Sequence, residues 1–162
     1  MFLYLMRHSF AAWPAEQGSD DQRPLTPLGV QRAQAVGAAL ARRNIIYPEV
    51  ILHSPFVRAR DTAAQVATAL ALTESVQSVS ALQPGFDAKR LRHLLQAHAH
   101  RESVLLVGHM PDMSDVVRTL TGRLALFGEA TVACLQIDHP ADDPRGVLLW
   151  LASAEELTAT QA

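Results

Sequence analysis

The chain has 162 residues, enough to bury a core without disulfides and too few to leave much room for a second domain, so one domain over residues 1–162 is expected. Its composition, 49% hydrophobic and 19% charged, is ordinary for a globular protein and excludes a disordered chain. The formal net charge of -2 excludes the broadly basic surface that binds nucleic acid or anionic membranes.

Cys134 is the only cysteine, so no disulfide can form within the chain, which fits a reducing compartment. In its apolar run it is expected to be a small buried hydrophobe rather than a nucleophile. The apolar start of the chain is too short for a signal peptide, and no segment has the roughly 20 apolar residues of a membrane span. We therefore expect a cytoplasmic protein with neither nucleic acid nor membrane as a partner.

The first elements are a strand, a loop and a helix. A short apolar run predicts a strand over Phe2–Met6, and the polar stretch 9–24 predicts a loop. Thr26–Pro27 has the pattern of an N-cap followed by proline at the first helical position. The helix that follows is expected to end near Arg42–Asn44, where basic residues suit the negative end of the helix dipole.

The middle of the chain repeats this order. Val50–Leu52 predicts a second buried strand, and Ser54–Pro55 repeats the capping pattern ahead of another helix. The apolar face of that helix consists of Ala59, Thr62, Ala63, Val66 and Leu70. Residues 75–80 predict a weak strand. Asp87 can cap a third helix, whose apolar residues are Leu91, Leu94 and Leu95.

The last third begins with a third buried strand, Val104–Val107. Pro111 opens a helix with the apolar residues Met113, Val116, Val117 and Leu120. Thr131–Ile137 and Val147–Leu151 predict two late strands, and the short polar connection between them favours an antiparallel pair. The residues after Leu157 are expected to fray.

Strands that alternate with helices predict a three-layer α/β fold, in which a mostly parallel central sheet has helices on both faces and ends in the late antiparallel pair. Ligands of such sheets bind beyond the carboxyl ends of the strands. Arg7 and His8 follow the first strand, Arg58 lies in the helical turn after the second, and His109 follows the third. We expect these four side chains at one edge, where two helix N-termini also favour an anion.

Arginine and histidine are the residue types that phosphoryl chemistry requires. The planar guanidinium donates paired hydrogen bonds to phosphate oxygens, and histidine serves as nucleophile, acid or ligand near neutral pH. Because these strand ends carry no cysteine, histidine is the most plausible nucleophile. Singly, Arg58 is more simply explained as a solvated charge and His109 as a structural histidine, but their coincidence at three strand ends favours a functional site.

The other histidines do not predict a metal site. His93, His98 and His100 lack the three- or four-residue spacing that places two ligands on one helical face. His53 could line the pocket but is expected to pack at the strand end, and His139 is expected on the surface. No metal and no other cofactor is expected.

Three motifs resemble those of the histidine phosphatase superfamily, which has the phosphoglycerate mutase-like fold. Leu5–His8 matches the Arg-His-Gly signature, His53–Ala59 with Thr62–Ala63 matches a second motif, and Val107–Pro111 matches a third. The segment Arg23–Gly29 makes the chain most similar to the SixA-type phosphohistidine phosphatases. The resemblance extends from residue 1 to about residue 120, with the motifs in the expected order.

The resemblance implies a metal-independent phosphatase in which His8 attacks phosphorus through Nε2 while a backbone carbonyl holds the other ring nitrogen. Arg7, Arg58 and His109 would bind the nonbridging phosphoryl oxygens, and water would then release phosphate from phospho-His8. Two guanidinium groups and an imidazole can balance the charge that a metal would otherwise balance. Arg23 matches a position near the pocket rim, where it either contacts the substrate or braces the loop.

Two positions depart from the family pattern. Ser9 stands in place of the signature glycine, which is acceptable if the backbone has ordinary dihedral angles, and it is expected beside the substrate. Ala81 stands where SixA-type sequences often have a glutamate, and the nearest acid, Asp87, is better explained as a helix cap. A sugar or alcohol phosphate benefits from general acid help worth roughly 10²–10⁴ in rate, whereas a phosphoimidazole leaves readily. The missing acid therefore favours phosphohistidine as substrate and argues against a mutase.

Three functions are compatible with this pattern. The leading hypothesis is a phosphohistidine phosphatase that acts on a phosphorylated protein domain at an open site. The second is hydrolysis of a small phosphate ester such as a sugar or nucleotide phosphate. It requires one acid from the set Asp87, Glu16, Asp20 and Asp21. The third is a non-catalytic phosphate- or phosphoprotein-binding module, which the two departures from the family pattern keep open.

Overall fold

A computed structural model describes residues 1–13, 18–43 and 45–159. The strands are β1 (Phe2–Arg7), β2 (Val50–His53), β3 (Val76–Ser78), β4 (Ser103–Gly108), β5 (Val132–Asp138) and β6 (Arg145–Ala152). The helices are α1 (Pro27–Arg42), α2 (Val57–Leu70), α3 (Ala88–Ala97), α4 (Asp112–Thr121) and α5 (Ala154–Ala159). Each predicted strand and helix is present, and α5 is additional.

The six strands form one sheet in the order β3-β2-β4-β1-β5-β6. The pairs β3–β2, β2–β4 and β4–β1 are parallel, whereas β1–β5 and β5–β6 are antiparallel. The register opposes Arg7 to Gly108 and His53 to Val107, so β1, β4 and β2 end at nearly the same level. This confirms the mostly parallel sheet and the late antiparallel pair, and it creates the common edge that a site needs.

The sheet is covered on both faces, as a three-layer fold requires. The buried strands β1 and β4 send alternate side chains to opposite sides, because the side-chain period of a strand is two. Leu3 and Leu106 belong to the core that includes residues of α3 and α4. Tyr4 and Leu105 belong to a second core, shared with α1, α2 and α5. The continuous apolar runs of the sequence are explained by this double burial.

Two of the predicted helix starts are confirmed. Oγ1 of Thr26 accepts a hydrogen bond from the backbone N–H of Gly29 at 3.0 Å, and Oδ1 of Asp87 accepts one from Arg90 at 2.9 Å. The end of α1 at Arg42 also agrees with the sequence, although Asn44 lies outside the described residues.

The predicted cap at Ser54 is wrong. Helix α2 begins at Val57 with Phe56 as its N-cap, and no side chain caps it. The Ser54 hydroxyl instead accepts from the backbone N–H of Phe56 at 3.3 Å and bonds to the ring of His109 at 2.8 Å. Ser54 is therefore fully buried next to a predicted site residue rather than at a helix end.

Helix α5 was not predicted, because only fraying was expected beyond Leu157. Its start is a reciprocal capping box: the Ser153 N–H donates to Oε2 of Glu156 at 2.7 Å, and the Glu156 N–H donates to Oγ of Ser153 at 3.2 Å. The sequence signal was the spacing of serine and glutamate three residues apart. Residues 160–162 lie outside the described part of the chain.

The helices within the described ranges are all too short or too polar to cross a membrane.

Candidate active site

The sheet edge brings His8, Arg58 and His109 into contact. The backbone N–H of His8 donates to the Gly108 carbonyl at 3.0 Å, which fixes the end of β1 against the end of β4. The His8 and His109 rings lie with their centroids 5.3 Å apart at an interplanar angle of 61°. Nε of Arg58 donates to Nε2 of His8 at 3.1 Å. Three residues from distant parts of the sequence thus share one site.

The hydrogen bonds of His8 determine its tautomer. Because the arginine Nε–H is a donor, Nε2 of His8 must present its lone pair to Arg58. The proton of the neutral ring is then on Nδ1, which donates to the Ser9 carbonyl at 2.8 Å. The ring is oriented from both sides, with the unprotonated nitrogen facing the arginine.

Burial keeps both site histidines neutral. The pKa of His8 falls to about 4, mainly through loss of hydration and also through the adjacent Arg58 and Arg7 charges, against the opposing effects of Ser9 and Glu129. The pKa of His109 falls to about 3, again mainly through burial, with His8 and Arg58 acting in the same direction. At neutral pH Nε2 of His8 is therefore unprotonated, as a nucleophile must be.

Arg58 is anchored at its outer end by a single residue. Its terminal nitrogen NH1 donates to the Asp20 carbonyl at 2.6 Å, and NH2 donates to Oδ2 of Asp20 at 2.9 Å. Asp20 begins a 3-10 turn, Asp20–Gln22, in the loop before α1. Because the guanidinium is buried and bound along this edge, its direction toward His8 is fixed.

Arg7, whose charge also acts on His8, is held by the same kinds of partner. Its NH1 donates to the Phe127 carbonyl at 3.0 Å, and its NH2 donates to Oε1 of Glu129 at 2.7 Å. Both partners lie in the connection between α4 and β5. Near the end of this connection, the backbone N–H of Ala130 donates to the His8 carbonyl at 3.3 Å. Each arginine thus has one backbone carbonyl and one carboxylate at its terminal nitrogens.

Three buried polar atoms at this site have no hydrogen-bond partner among the described residues: Nε of Arg7, Oγ of Ser9 and Nδ1 of His109. Buried polar groups are normally paired, so each of these three residues keeps unused hydrogen-bonding capacity.

Ser9 is fully buried, and it replaces glycine without strain because it is absent from the residues with positive φ. Its backbone N–H donates to Oγ1 of Thr62 at 3.0 Å, and that hydroxyl donates to the Arg58 carbonyl at 2.7 Å. Thr62 was predicted on an apolar helix face and within the second family motif, with no role assigned to its hydroxyl, and it links the backbones of two site residues.

Arg23 makes the contacts of a brace. Its Nε donates to the Ala12 carbonyl at 2.6 Å, its NH1 donates to Oδ1 of Asp20 at 3.0 Å, and its guanidinium lies 5.6 Å from the ring centre of Trp13. Arg23 therefore reaches the site through the Asp20 carboxylate, which it shares with Arg58.

Of the candidate acids within the described residues, Asp20 alone contacts a site residue. Asp87 caps α3, and Asp21 accepts a hydrogen bond from its neighbour Gln22. Glu16 lies outside the described residues. Asp20 does reach the site, but the hydrogen bonds from Arg23 and Arg58 hold its pKa below the usual range, so it is a carboxylate and a poor acid. Glu129, bound to Arg7, was not identified from the sequence.

An open pocket of about 470 Å³ adjoins the site, lined by Asp20, Asp21, Phe56, Gln83 and Pro84. Phe56 also packs against His109, with ring centroids 5.0 Å apart. The remaining histidines lie apart from this pocket's lining: His53 is buried with Nδ1 bonded to the Ser54 carbonyl, and His139 is exposed. Within the described residues, no three histidine, cysteine or acidic side chains are grouped as a metal site would require.

Fold and site together define an α/β protein with a histidine and arginine site at the carboxyl edge of its sheet. A family model for the histidine phosphatase superfamily (branch 1) matches residues 3–83, and the chain belongs to that superfamily. Membership makes it a hydrolase of the phosphatase type.

Individual members of the superfamily are similar to this chain along nearly its whole length. The phosphohistidine phosphatase SixA of Escherichia coli K12 is 29% identical over 166 residues, covering 100% of this chain and 99% of that protein. The structure of the protein histidine phosphatase SixA complexed with tungstate has a TM-score of 0.83 at 30% identity, covering 95% of this chain and 97% of the other. A mycobacterial glucosyl-3-phosphoglycerate phosphatase (TM-score 0.73, 20% identity, 94% and 99% covered) has the same fold.

Proposed function

We propose that the chain is a metal-independent phosphohistidine phosphatase, which removes a phosphoryl group from a phosphorylated protein domain through covalent phospho-His8. The observation that carries the proposal is the contact of three side chains: Nε of Arg58 donates to Nε2 of His8, and the ring of His8 lies against that of His109. Nε of Arg7, Oγ of Ser9 and Nδ1 of His109 are in addition buried and unpaired among the described residues. Phosphoryl oxygens are the partners that such a set accommodates.

The reaction has two in-line displacements. Nε2 of His8 forms a bond to phosphorus as the bond from phosphorus to the substrate nitrogen breaks, and the leaving imidazole keeps that electron pair together with the proton on its other nitrogen. A water oxygen then bonds to phosphorus, the bond to Nε2 breaks, and the water proton passes to the departing ring or to solvent. Arg7, Arg58 and His109 stabilise the phosphoryl oxygens in both steps.

The state of His8 supports this role. A histidine nucleophile must be unprotonated at Nε2, and burial lowers the pKa of His8 to about 4 while the bond from Nδ1 to the Ser9 carbonyl orients the ring. The same bond stabilises the ring when Nε2 carries the phosphoryl group, because the positive charge that develops is shared with the Nδ1 proton. Neutral pH therefore suits attack.

The carrier of the phosphoryl group is inferred from the acids of the site. Asp20 is held as a carboxylate by its arginine partners, and Ala81 offers no acid. A phosphoimidazole needs no acid because its ring can carry its own proton, whereas an alkoxide does. The similarity to SixA supports the same choice, and the open pocket beside Phe56 suits approach by another protein.

The test is hydrolysis of a radiolabelled phosphohistidine domain. Wild-type protein should release inorganic phosphate and pass through an acid-labile phosphoenzyme, whereas His8→Ala and His109→Ala should each lose at least roughly 10²–10³-fold in kcat/KM. His139→Ala, at an exposed histidine outside the site, is the matched control. Full activity in His8→Ala would contradict the covalent mechanism. Binding without turnover by the wild type would favour the non-catalytic module.

Metal independence is tested separately. Two guanidinium groups and the hydrogen-bonding ring of His109 can stabilise the phosphoryl oxygens, so prolonged dialysis against a chelator should leave kcat/KM unchanged. A loss of activity that a divalent cation restores would contradict this part of the proposal.

A second candidate is hydrolysis of small phosphate esters, for which Glu129 provides a carboxyl group bound to a site arginine. It requires Glu129 to supply a proton to the leaving oxygen. Sugar phosphates and 4-nitrophenyl phosphate are the probes. A kcat/KM for a sugar phosphate equal to that for the phosphohistidine domain would support this candidate instead.

We also infer that residues 1–162 fold as one domain, since both sides of the sheet are covered by helices of the same chain. We infer action in the cytoplasm from the single cysteine, which fits a reducing compartment. A single cooperative unfolding transition and recovery in the soluble cell fraction are expected.

A further inference from the structure

The terminal nitrogens of Arg7 and Arg58 have partners of the same two kinds, a backbone carbonyl and a carboxylate. NH1 donates to a backbone carbonyl, that of Phe127 for Arg7 and that of Asp20 for Arg58. NH2 donates to a carboxylate, that of Glu129 for Arg7 and that of Asp20 for Arg58. The carboxylates are not needed merely to pair the arginines, because a neutral oxygen accepts the same hydrogen bond.

The charges of the site are consequently almost balanced. Its cations are Arg7, Arg58 and Arg23, and its anions are Glu129 and Asp20, which bonds to Arg58 and Arg23 at once. Hydrogen bonds from these arginines keep the pKa of Asp20 low, so its charge persists at neutral pH. Both histidines are neutral there. A dianion entering the site therefore meets a net charge near a single positive unit.

We propose that Asp20 and Glu129 are specificity-determining residues, whose negative charges weaken the binding of phosphate dianions and thereby favour a phosphoramidate on a protonated imidazole. The inference rests on the proposed function and narrows its substrate class. Inorganic phosphate and aryl or sugar phosphates present two negative charges, whereas phosphohistidine with a protonated ring presents one fewer. The reduced affinity also speeds the release of phosphate after each turnover.

The positions of the two carboxylates predict a measurable effect of their charges on phosphate affinity. Each carboxylate is bonded to the terminal NH2 of one site arginine, and both side chains are partly exposed, so solvent moderates the repulsion. Neutralising one carboxylate while keeping its oxygen should strengthen dianion binding by roughly three- to thirtyfold. Monoanionic or zwitterionic phosphoryl groups should gain less.

The first experiment measures inorganic phosphate binding by calorimetry, at a pH where phosphate is a dianion. Glu129→Gln and Asp20→Asn should each lower the Kd by roughly three- to thirtyfold. Glu155→Gln and Asp143→Asn are matched controls, since their carboxylates pair with Arg32 and with Arg92 and Arg145 away from the site. Unchanged or weaker phosphate binding in Glu129→Gln and Asp20→Asn would overturn the inference.

The second experiment compares kcat/KM for a phosphohistidine peptide with that for 4-nitrophenyl phosphate. The ratio should fall several-fold in Glu129→Gln and Asp20→Asn, because the ester gains more from the lost charge. If kcat/KM fell equally for both substrates and phosphate bound no more tightly, the carboxylates would only hold the arginines in position and would not determine specificity. Calorimetry needs no turnover, so the phosphate-binding result tests this inference even if the wild type is inactive. An inactive wild type would contradict the proposed function alone.

Discussion

Nε of Arg58 donates a hydrogen bond to Nε2 of His8 at 3.1 Å, across a separation of 50 residues in the sequence. The bond selects the ring nitrogen that keeps its lone pair, and it places a guanidinium directly beside that nitrogen. An incoming phosphoryl group would meet the proposed nucleophile and a phosphate-binding arginine at the same point.

Replacement of Arg58 by lysine should separate the contribution of its positive charge from that of its guanidinium hydrogen bonds. Arg58→Lys keeps the positive charge but lacks the Nε–H and the planar fork, so kcat/KM should fall by roughly 10²–10³-fold. The control is Arg60→Lys, an exposed arginine on the same helix that pairs with Asp61. Steady-state kinetics of both variants test the prediction, and an Arg58→Lys protein within threefold of wild type would refute it.

Stability should decline as the pH falls below about 6.5. His8 and His109 have pKa values near 4 and 3 in the folded protein, below their ordinary 6.5, so the unfolded chain takes up protons first as the solution is acidified. The stability that the two neutral rings contribute is therefore lost progressively between about pH 6.5 and about pH 3.

Urea titrations across this pH range measure the loss. The double variant His8→Ala, His109→Ala should have a shallower decline than wild type, and His139→Ala should keep the wild-type slope. Parallel curves for wild type and the double variant would show that other groups cause the acid sensitivity.

The Thr62 hydroxyl should contribute measurably to stability. Thr62→Val keeps the side-chain shape but leaves the buried N–H of Ser9 without its acceptor, which should cost about 1–3 kcal/mol. Thr68→Val removes a hydroxyl that only donates to the Ala64 carbonyl on the exposed side of the same helix, and it should cost much less. Chemical denaturation compares them, and Thr62→Ser should recover most of the loss.

Ser9→Ala should change stability and binding in opposite directions. The buried Ser9 hydroxyl is unpaired among the described residues, so its removal should leave the free energy of unfolding unchanged or raise it by up to about 1 kcal/mol. If the hydroxyl binds a phosphoryl oxygen as proposed, the Kd for inorganic phosphate should rise several-fold.

Ser114→Ala provides the contrast for this prediction. The Ser114 hydroxyl is also buried but donates to the Ala125 carbonyl, so its loss should destabilise the protein by about 1 kcal/mol. Phosphate affinity that is unchanged in Ser9→Ala would remove Ser9 from the proposed binding set.

The fold could be predicted well because its signals are local. Continuous apolar runs indicate strands buried on both sides, and Thr26 and Asp87 mark helix starts through contacts three residues away. The convergence of His8 and His109 followed from the sheet rule alone, since parallel strands end at a common edge.

The electrostatics of the site could not be predicted in the same way. Glu129 meets Arg7 across 122 positions, and nothing periodic in the connection before β5 indicates which of its side chains turns inward. Ser54 was misread because serine before proline is typical of a helix start, while its partner His109 lies 55 residues away. Asp20 was considered as an acid, but its pairing with Arg58 depends on the path of a loop.

The opposition of Arg7 to Gly108 and of His53 to Val107 means that three neighbouring strands terminate in step. Inserting one amino acid inside β4 would displace His109 by about 3.3 Å along the strand and reverse the facing of every side chain beyond the insertion. Surface connections can therefore vary in length during evolution, whereas the lengths of these strands are constrained by the reaction as well as by the packed interior.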